Sequence, residues 1–214
     1  MIVCAGTIGV GKSTMAKNLG DYFGTEVFYE KVDGNKILPL FYTMSEEELL
    51  LKRIPFLLQL DFLDSRFKLI KQALINDNNI LDRSIFEDVM FARCNAKLGR
   101  ISDLELEIYE NLFFNMMEEL KELPKKSPDL LVYLRADFDV IMGRVFKRGR
   151  EYEIDDNLVE YYRMIWETYE TWIEEYSYSP KIIIDTNELD LANNQEHIDL
   201  VLKRIEDKLQ QVRG

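Results

Sequence analysis

The chain has 214 residues, of which 47% are hydrophobic and 31% charged, a composition typical of globular proteins rather than disordered or fibrous ones. Its 27 Lys and Arg against 39 Asp and Glu give a formal net charge of −12, which argues against nucleic-acid binding because such binding needs a basic surface. Two cysteines and one histidine are too few for a disulfide framework, a cysteine-based zinc site or a two-histidine metal site. The sequence contains neither a signal-peptide pattern nor an apolar run of about 20 residues, so we expect a soluble, cytoplasmic protein without membrane partners.

Five short apolar segments predict strands, and helical patterns lie between them. We expect the strands at residues 1–5, 26–29, 79–81, 130–134 and 181–184. We expect helices at 12–23, from Ser45 onward, and at 56–75, 84–97, 103–122, 137–148, 157–176 and 194–211, with an irregular segment and one helical turn at 33–44. Strands that alternate with helices favour an α/β fold, here a five-stranded parallel sheet flanked by helices. No linker or repeat interrupts the pattern, so residues 1–214 are predicted to form a single domain.

The strongest motif follows the first predicted strand. The segment Gly6-Thr-Ile-Gly-Val-Gly-Lys-Ser13 fits the P-loop pattern G-x-x-x-x-G-K-[ST] in full and opens a predicted helix. Glycines let backbone N–H groups point at phosphate oxygens, and the helix N-terminus adds partial positive charge. Lys12 is expected to reach the β/γ-phosphates and Ser13 to bind Mg²⁺. The predicted nucleotide-binding residues of this loop are Gly6, Thr7, Ile8, Gly9, Val10, Gly11, Lys12, Ser13 and Thr14.

A P-loop indicates ATP or GTP but does not indicate the reaction. GTPases read guanine with an N-K-x-D motif, whereas Asn35-Lys-Ile-Leu38 ends in a different residue here. The sequence therefore argues against a GTPase switch.

Charged residues follow the second and third predicted strands, at the edge where α/β folds bind ligands. Glu30 could accept a proton from a substrate hydroxyl, although a glutamate at a strand end is more often simply solvated. Asp82 could hold Mg²⁺ or a water, and Arg83 could contact a phosphate or Glu30. Taken alone, Asp82 and Arg83 could equally form a surface ion pair.

Three polar residues interrupt otherwise apolar helical patterns. Gln59 and Arg66 lie seven residues apart and therefore share one helix face, and Asp88 lies in the next helix. Each could equally be a partly exposed helix residue.

A basic cluster follows the fourth predicted strand. Arg144, Lys147, Arg148 and Arg150 concentrate positive charge in an acidic chain, and Gly149 ends their helix. Such a cluster is usually a solvated helix end. After the fourth strand of a phosphate-binding fold we favour an arginine-rich lid, at about 148–156, over a triphosphate.

Together these motifs resemble the deoxyribonucleoside kinase family over roughly residues 1–185, and its bacterial branch acting on deoxyadenosine, deoxyguanosine or deoxycytidine in particular. The family pattern is a P-loop, a glutamate after the second strand, a glutamine on a long helix, a D/E-R-S after the third strand and an R-G-R lid. This chain has them in order at residues 6–13, Glu30, Gln59, Asp82-Arg83-Ser84 and Arg148-Gly149-Arg150.

The resemblance implies a role for each matching position. Glu30 is expected to be the general base for the 5′-hydroxyl, Arg83 to position Glu30 and the phosphates, and Asp82 to hold Mg²⁺ with Ser13. The implied catalytic residues are Glu30, Arg83 and Lys12. The implied substrate-binding residues are Glu30, Tyr42, Gln59, Arg66, Arg83, Asp88 and Glu153, of which Gln59, Arg66 and Asp88 bind the base and Tyr42 and Glu153 the sugar 3′-hydroxyl.

The resemblance also implies the donor and the oligomeric state. ATP or another nucleoside triphosphate would donate the phosphate with Mg²⁺, and Arg144, Arg148 and Arg150 would contact it. A homodimer would form through the long helix at about 56–75 and the helix at about 103–122.

Two features depart from the family pattern. The stretch between Tyr42 and Gln59 is longer, around residues 45–53. The family's aromatic residue four positions after Asp88 is Ala92 here, with Phe91 directly before it. We therefore expect the wall on which the base stacks to be built differently.

The predicted reaction is ATP-dependent phosphorylation of a deoxyribonucleoside at its 5′-hydroxyl for nucleotide salvage, with deoxyadenosine or deoxyguanosine favoured and deoxycytidine as a further candidate. A nucleoside monophosphate kinase of thymidylate-kinase type shares the P-loop and lid, but its phosphate acceptor needs no general base, so Glu30 counts against it. A nucleotide-bound regulator without catalysis is the third candidate, and the residues expected for catalysis, which are intact, argue against it: Lys12, Ser13, Glu30, Asp82 and Arg83.

Overall fold

A parallel sheet forms the centre of the molecule. The computed structural model describes residues 1–30, 32, 34–121, 128–150, 153 and 158–214. The strands are β1 (Ile2–Ala5), β2 (Val27–Phe28), β3 (Ile80–Asp82), β4 (Leu130–Arg135) and β5 (Lys181–Asp185). They lie in the order β2-β3-β1-β4-β5, and every neighbouring pair is parallel. The predicted five-stranded parallel sheet is confirmed.

Helices connect these strands and cover both faces of the sheet. They are α1 (Lys12–Phe23), α2 (Leu38–Thr43), α3 (Glu46–Leu51), α4 (Ile54–Ala73), α5 (Ile85–Lys97), α6 (Asp103–Lys121), α7 (Phe138–Arg148), α8 (Val159–Glu175) and α9 (Gln195–Arg213). Ser45 caps α3 in the predicted capping box with Glu48. The long helix α4 begins two residues earlier than predicted because Pro55 sits in its first turn, where no backbone N–H is needed. The predicted irregular segment at 33–44 contains the short helix α2, which carries Tyr42.

The sheet is buried on both faces, and alternation along β1 divides the core in two. Val3 and Ala5 face a cluster with residues of α4, α5 and α8, whereas Ile2 and Cys4 face a second cluster with residues of α1, α7 and α9. Side chains of a strand alternate between faces, so an uninterrupted apolar run is what a doubly covered strand requires. Cys4 is a buried free thiol, as expected from its apolar surroundings.

Within the described ranges, no helix is both long and apolar enough to cross a membrane. Only part of the predicted lid at 148–156 is described, namely Arg148, Gly149, Arg150 and Glu153, and the rest lies outside the described residues.

Two glycines inside helices provide a test of this packing. A Cβ on Gly20 of α1 would collide with Cγ2 of Val27 in β2, whereas a Cβ on the exposed Gly143 of α7 would meet nothing within 4 Å. We expect Gly20→Ala to lower the free energy of unfolding by about 1–3 kcal/mol through overpacking. Gly143→Ala should raise it by about 0.5–1 kcal/mol through helix propensity. Urea titrations of both variants and the wild type measure the free energies of unfolding. The same change in both variants would contradict the close approach of α1 and β2.

Candidate active site

A cavity of about 310 Å³ opens at the carboxyl ends of β1, β2 and β3. The P-loop forms one side of it, and α2, α4 and α5 form the others. Parallel strands end together at this edge, which is why residues far apart in sequence meet there. The predicted site residues in its wall are Ile8, Gly9, Lys12, Ser13, Glu30, Tyr42, Gln59, Asp82, Arg83, Asp88, Arg148, Arg150 and Glu153.

The P-loop has the backbone that its motif predicts. Gly6 has a φ of 136°, and a Cβ there would lie 2.5 Å from the carbonyl oxygen of Leu134. Gly9 has a φ of 77°, and its Cβ would lie 2.7 Å from Cγ2 of Val145. Both positions therefore exclude other residues, and they bring the loop close to β4 and α7.

Lys12 lies under this loop. It is 8% exposed, and its Nζ donates to the carbonyl of Thr7 at 2.9 Å. Burial and then the charge of Arg83 lower the pKa of Lys12 to about 8, against the opposing effect of nearby carboxylates. A bound phosphate would supply the negative charge that restores its usual protonation.

Glu30 lies between two arginines. Arg66 Nη2 donates to Glu30 Oε1, and Arg83 Nε donates to Oε2 at 3.2 Å. Burial alone would raise the pKa of Glu30, but the charges of Arg83, Arg66 and Lys12 outweigh it and lower the pKa to about 2. Its side chain is 16% exposed and reaches the cavity, so an ionised carboxylate faces the space beside the P-loop.

Arg66 of α4 is held by acceptors from three other parts of the chain. Its guanidinium donates to both carboxylate oxygens of Asp88, at 2.6 and 3.2 Å, to Glu30 and to the carbonyl of Asp82 at 3.2 Å. Its side chain is only 1% exposed. All described hydrogen bonds of the guanidinium are to protein acceptors, and the predicted contact of Arg66 with the base stays a prediction. Its geometry fits a residue that positions Asp88 and Glu30, while Asp88 and Gln59 themselves line the cavity.

Ser13 and Asp82 form a pair with ligand atoms for a cation. Ser13 Oγ donates to Asp82 Oδ2 at 2.5 Å. Asp82 Oδ1 is buried and has no hydrogen-bond partner among the described residues. A hydroxyl and a carboxylate with a spare buried oxygen suit Mg²⁺, which prefers oxygen ligands and retains several waters. The residues fit the predicted metal site.

The described lid residues converge on one carboxylate. Arg148 Nη2 and Arg150 Nη1 both donate to Glu153, the latter at 3.3 Å, and Glu153 is 4% exposed. Tyr162 Oη donates to the carbonyl of Glu153 at 3.2 Å. Tyr42 lies in the same cavity wall. The predicted lid and sugar-binding residues are thus adjacent.

Arg144 contacts the P-loop and the segment that follows β5. Its Nη1 donates to Thr186 Oγ1 at 2.9 Å and to the carbonyl of Val10 at 3.3 Å, and its Nη2 donates to the carbonyl of Thr186 at 2.6 Å. It therefore ties α7 to the P-loop and to the end of β5. Arg144 also lines a second cavity next to the P-loop, and its predicted contact with the donor nucleotide stays a prediction.

The second cavity, of about 530 Å³, lies on the other side of the P-loop. Gly11, Thr14 and the basic residues of α7 line it together with residues 189–193. Sequence reasoning missed residues 189–193, which carry no motif. Asp190 Oδ1 accepts from the backbone N–H groups of Ala192 and Asn193, so this turn is held by its own aspartate.

Aromatic residues form the remaining wall of the first cavity. Phe91 lines it, and the guanidinium of Arg83 lies 5.0 Å from the centre of the Phe91 ring. Ala92 is fully buried, so the departure noted in the sequence places Phe91 rather than Ala92 at the cavity. Phe62 and Tyr161 also line it and were not predicted, although both stand in aromatic-rich helices.

Comparison with known proteins assigns the family. A family model described as "deoxynucleoside kinase" matches residues 2–210 of the chain. The chain belongs to the deoxynucleoside kinase family. It is 45% identical to a deoxyguanosine kinase of Lactobacillus acidophilus, over 99% of this chain and 92% of that one. It is 40% identical to a deoxyadenosine kinase of the same species, over 99% and 97%.

Solved structures agree with this assignment. A deoxyadenosine kinase from M. mycoides with bound dCTP matches with a TM-score of 0.79 at 28% identity, over 97% of this chain and all of that one. The same enzyme with bound dATP matches with a TM-score of 0.78 at 29% identity, over 96% and 98%. The chain is a deoxynucleoside kinase, which confirms the resemblance over the thymidylate-kinase-type and regulator alternatives.

The lowered pKa of Lys12 predicts a pH-dependent affinity for a triphosphate on the P-loop. A bound phosphate stabilises the charged lysine, so its pKa rises above about 8 in the complex. Binding near pH 8 should therefore take up a fraction of a proton, and affinity should fall as the pH rises through this value. Calorimetric titration of Mg-ATP in buffers with different ionisation enthalpies measures the uptake. Lys12→Arg, which stays charged, should abolish it, and an unchanged uptake in that variant would contradict the assignment.

Proposed function

We propose that this deoxynucleoside kinase transfers the γ-phosphoryl group of ATP, with Mg²⁺, to the 5′-hydroxyl of a purine deoxyribonucleoside. The observation that carries the proposal is Glu30, an ionised carboxylate that faces the cavity beside the P-loop. An alcohol acceptor needs a proton acceptor at this place, whereas a phosphate acceptor does not. Relatives at 45% and 40% identity are named deoxyguanosine and deoxyadenosine kinase, which supports a purine.

Glu30 would take the proton of the 5′-hydroxyl. Its pKa of about 2 makes it a weak base in the empty site but keeps it ionised at every working pH. Phosphoryl transfer has a loose transition state in most analyses, with little bond formation to the attacking oxygen. A weak, well-placed base is then sufficient, and the arrival of phosphate charge raises its pKa toward a more useful value.

Ser13 and Asp82 would hold Mg²⁺, as the spare buried oxygen of Asp82 suggests. When bound, the ion would neutralise charge on the phosphates. Lys12 would contribute a second charge from beneath the loop, while the backbone N–H groups of residues 6–14 surround the phosphates. The second cavity, beyond the loop, has room for the rest of the donor nucleotide.

Arg148 and Arg150 would contact the transferred phosphoryl group. They are paired with Glu153 in the structure, and a triphosphate offers them a stronger anionic partner. Their movement toward the phosphates would leave the Glu153 carboxylate available for the sugar 3′-hydroxyl, with Tyr42 beside it. Closure would also exclude water and limit wasteful hydrolysis of ATP.

The nucleoside would lie between α4 and α5. Gln59 and Asp88 offer the base an amide and a carboxylate, and Phe91 offers a ring for stacking. Arg66 acts on the base through Asp88, which it holds in a two-pronged contact.

A homodimer is supported by an apolar stripe on α6. Leu104, Ile108 and Leu112 recur every four residues along this helix and are 67%, 50% and 37% exposed. Leu57 of α4 is 43% exposed. Side chains four apart share one helix face, and a second copy that covers this face would remove them from water. Cytoplasmic location and the absence of nucleic-acid partners stay predictions.

Glu30→Gln tests the general base. The amide keeps the size of the side chain but cannot accept the proton, so kcat should fall about 10²–10⁴-fold while ATP binding persists. Glu26→Gln, an exposed carboxylate directly before the same strand, is the matched control and should keep wild-type turnover. Steady-state assays with deoxyguanosine and deoxyadenosine provide the measurement, and near-normal kcat for Glu30→Gln would sink the proposed role.

Thymidine tests the reading of the base. Its ring has no exocyclic amine to donate to Asp88, and a buried acceptor left unpaired is costly. We expect thymidine to have a much lower kcat/KM than the preferred purine deoxynucleoside. In Asp88→Ala the ratio of these two kcat/KM values should move closer to one. Melting curves of Asp88→Ala control for loss of folding. Equal kcat/KM values for thymidine and the purine in the wild type would rule out this role of Asp88.

A further inference from the structure

A carboxylate that the proposed reaction does not use lies behind the active site. Glu87 of α5 is fully buried. Its Oε2 accepts from the backbone N–H of Ser84 at 2.6 Å, which completes a capping box. Its Oε1 accepts from the backbone N–H of Gly6 at 3.2 Å and from Tyr169 Oη at 2.6 Å. One side chain thus joins the P-loop, the turn after β3 and helix α8.

Tyr169 continues this network to Arg83. Its hydroxyl donates to Glu87 and accepts from Arg83 Nη1 at 3.0 Å. Arg83 in turn donates from Nε to Glu30 at 3.2 Å. The contacts therefore form a chain from the first glycine of the P-loop to Glu30.

Arg83 needs such support for two reasons. Its φ is 84°, a left-handed conformation that is strained for a residue with a side chain and persists only where the surroundings hold it. Its guanidinium also lies between two carboxylates, with Nη1 3.8 Å from Glu87 and Nε 3.2 Å from Glu30. The Tyr169 hydroxyl binds both Arg83 Nη1 and Glu87 Oε1, and these two charged groups therefore do not hydrogen-bond to each other directly.

The requirements of a helix cap do not explain this arrangement. Capping uses only Oε2 of Glu87, whereas Oε1 binds groups from the P-loop and α8 that are far away in sequence. A fully buried carboxylate is expensive to desolvate, and its retention calls for partners that use the charge. Those partners are Arg83 and the P-loop.

We propose that Glu87 and Tyr169 are positioning residues that set Arg83, and through it Glu30, in register with the P-loop. The inference rests on the proposed function, because its effect is on transfer from the P-loop nucleotide to the hydroxyl beside Glu30. Glu87 holds the P-loop, where the phosphate donor would bind, through Gly6. It holds Glu30, beside which the nucleoside would bind, through Tyr169 and Arg83. Neither residue lines either of the two cavities described above.

Tyr169→Phe is the principal test because it removes one hydroxyl and keeps the ring. Without the hydroxyl, Arg83 moves toward Glu87 and away from Glu30. Loss of a hydrogen bond to a charged group corresponds to a fall in kcat of about ten- to a hundredfold. The KM for ATP should not change, because the contact of Glu87 with Gly6 remains. Tyr133→Phe is the matched control: this buried tyrosine stacks on Tyr169, and its variant should keep wild-type kcat.

A double-mutant cycle separates positioning from general loosening of the fold. If Tyr169 acts through Arg83, Tyr169→Phe should have little further effect on kcat in an Arg83→Lys background. If Tyr169 has only a structural role, Tyr169→Phe should lower kcat by the same factor in both backgrounds. Melting curves of all variants accompany the kinetics.

Glu87→Gln tests the other branch. Its amide can accept on only one side, and the Gly6 N–H or the Ser84 N–H then faces an N–H donor. We expect a raised KM for ATP together with a lowered kcat, in contrast to the kcat effect alone in Tyr169→Phe. Should Glu87→Gln fail to fold, the Tyr169 cycle decides.

The inference would be overturned if Tyr169→Phe had wild-type kcat, or if it lowered kcat by the same factor in the wild-type and Arg83→Lys backgrounds. Either result would leave the proposed function intact. A wild-type enzyme that phosphorylates no deoxynucleoside would contradict the proposed function and this inference with it.

Discussion

Buried charge at the carboxyl ends of β1 and β3 is the constraint on which the rest of the site depends. Lys12, Arg66 and Arg83 are each less than a tenth exposed, and a buried cation is tolerated only with anionic partners. The structure provides them as Glu30, Asp82, Glu87 and Asp88, all within hydrogen-bonding networks that include these cations or their neighbours. Moving one of these groups would leave another uncompensated, so the constellation is held together by mutual charge.

The sheet determines where these charges can be placed. Cys4 of β1 pairs with Asp82 of β3, and Arg83 N–H then donates to the Cys4 carbonyl at 2.8 Å. This register puts the residue after β3 level with the start of the P-loop, within reach of Glu87. The strain at Arg83 is therefore a consequence of turning the chain sharply at the end of β3 while aiming the guanidinium into the site. Backbone pairing and side-chain chemistry are set by the same few residues.

The sequence predicted the elements well and the partners of individual side chains less well, for a physical reason. Strands buried on both faces are continuous apolar runs, and the P-loop motif has a fixed backbone, so both are readable locally. The sequence shows the charge of Arg66 and Arg144 but not their protein acceptors, Asp88 and Thr186, because these come from other parts of the chain. The cap of Glu87 on Ser84 was readable from a spacing of three residues. Its bond to Gly6, 81 residues away, was not.

The distribution of charge also explains why the basic cluster exists in an acidic chain. The buried constellation holds three cations and four carboxylates, so on its own it does not attract a triphosphate. In the proposed function, further positive charge would come from outside that set, from Mg²⁺ at Ser13 and Asp82 and from Arg148 and Arg150. In the structure both arginines pair with Glu153, a residue of the same cavity wall. This carboxylate reduces the repulsion between the two positive charges. If Arg148 and Arg150 close over the phosphates as proposed, phosphate binding would depend on closure, and the same movement would both exclude water from the phosphoryl group and neutralise its charge.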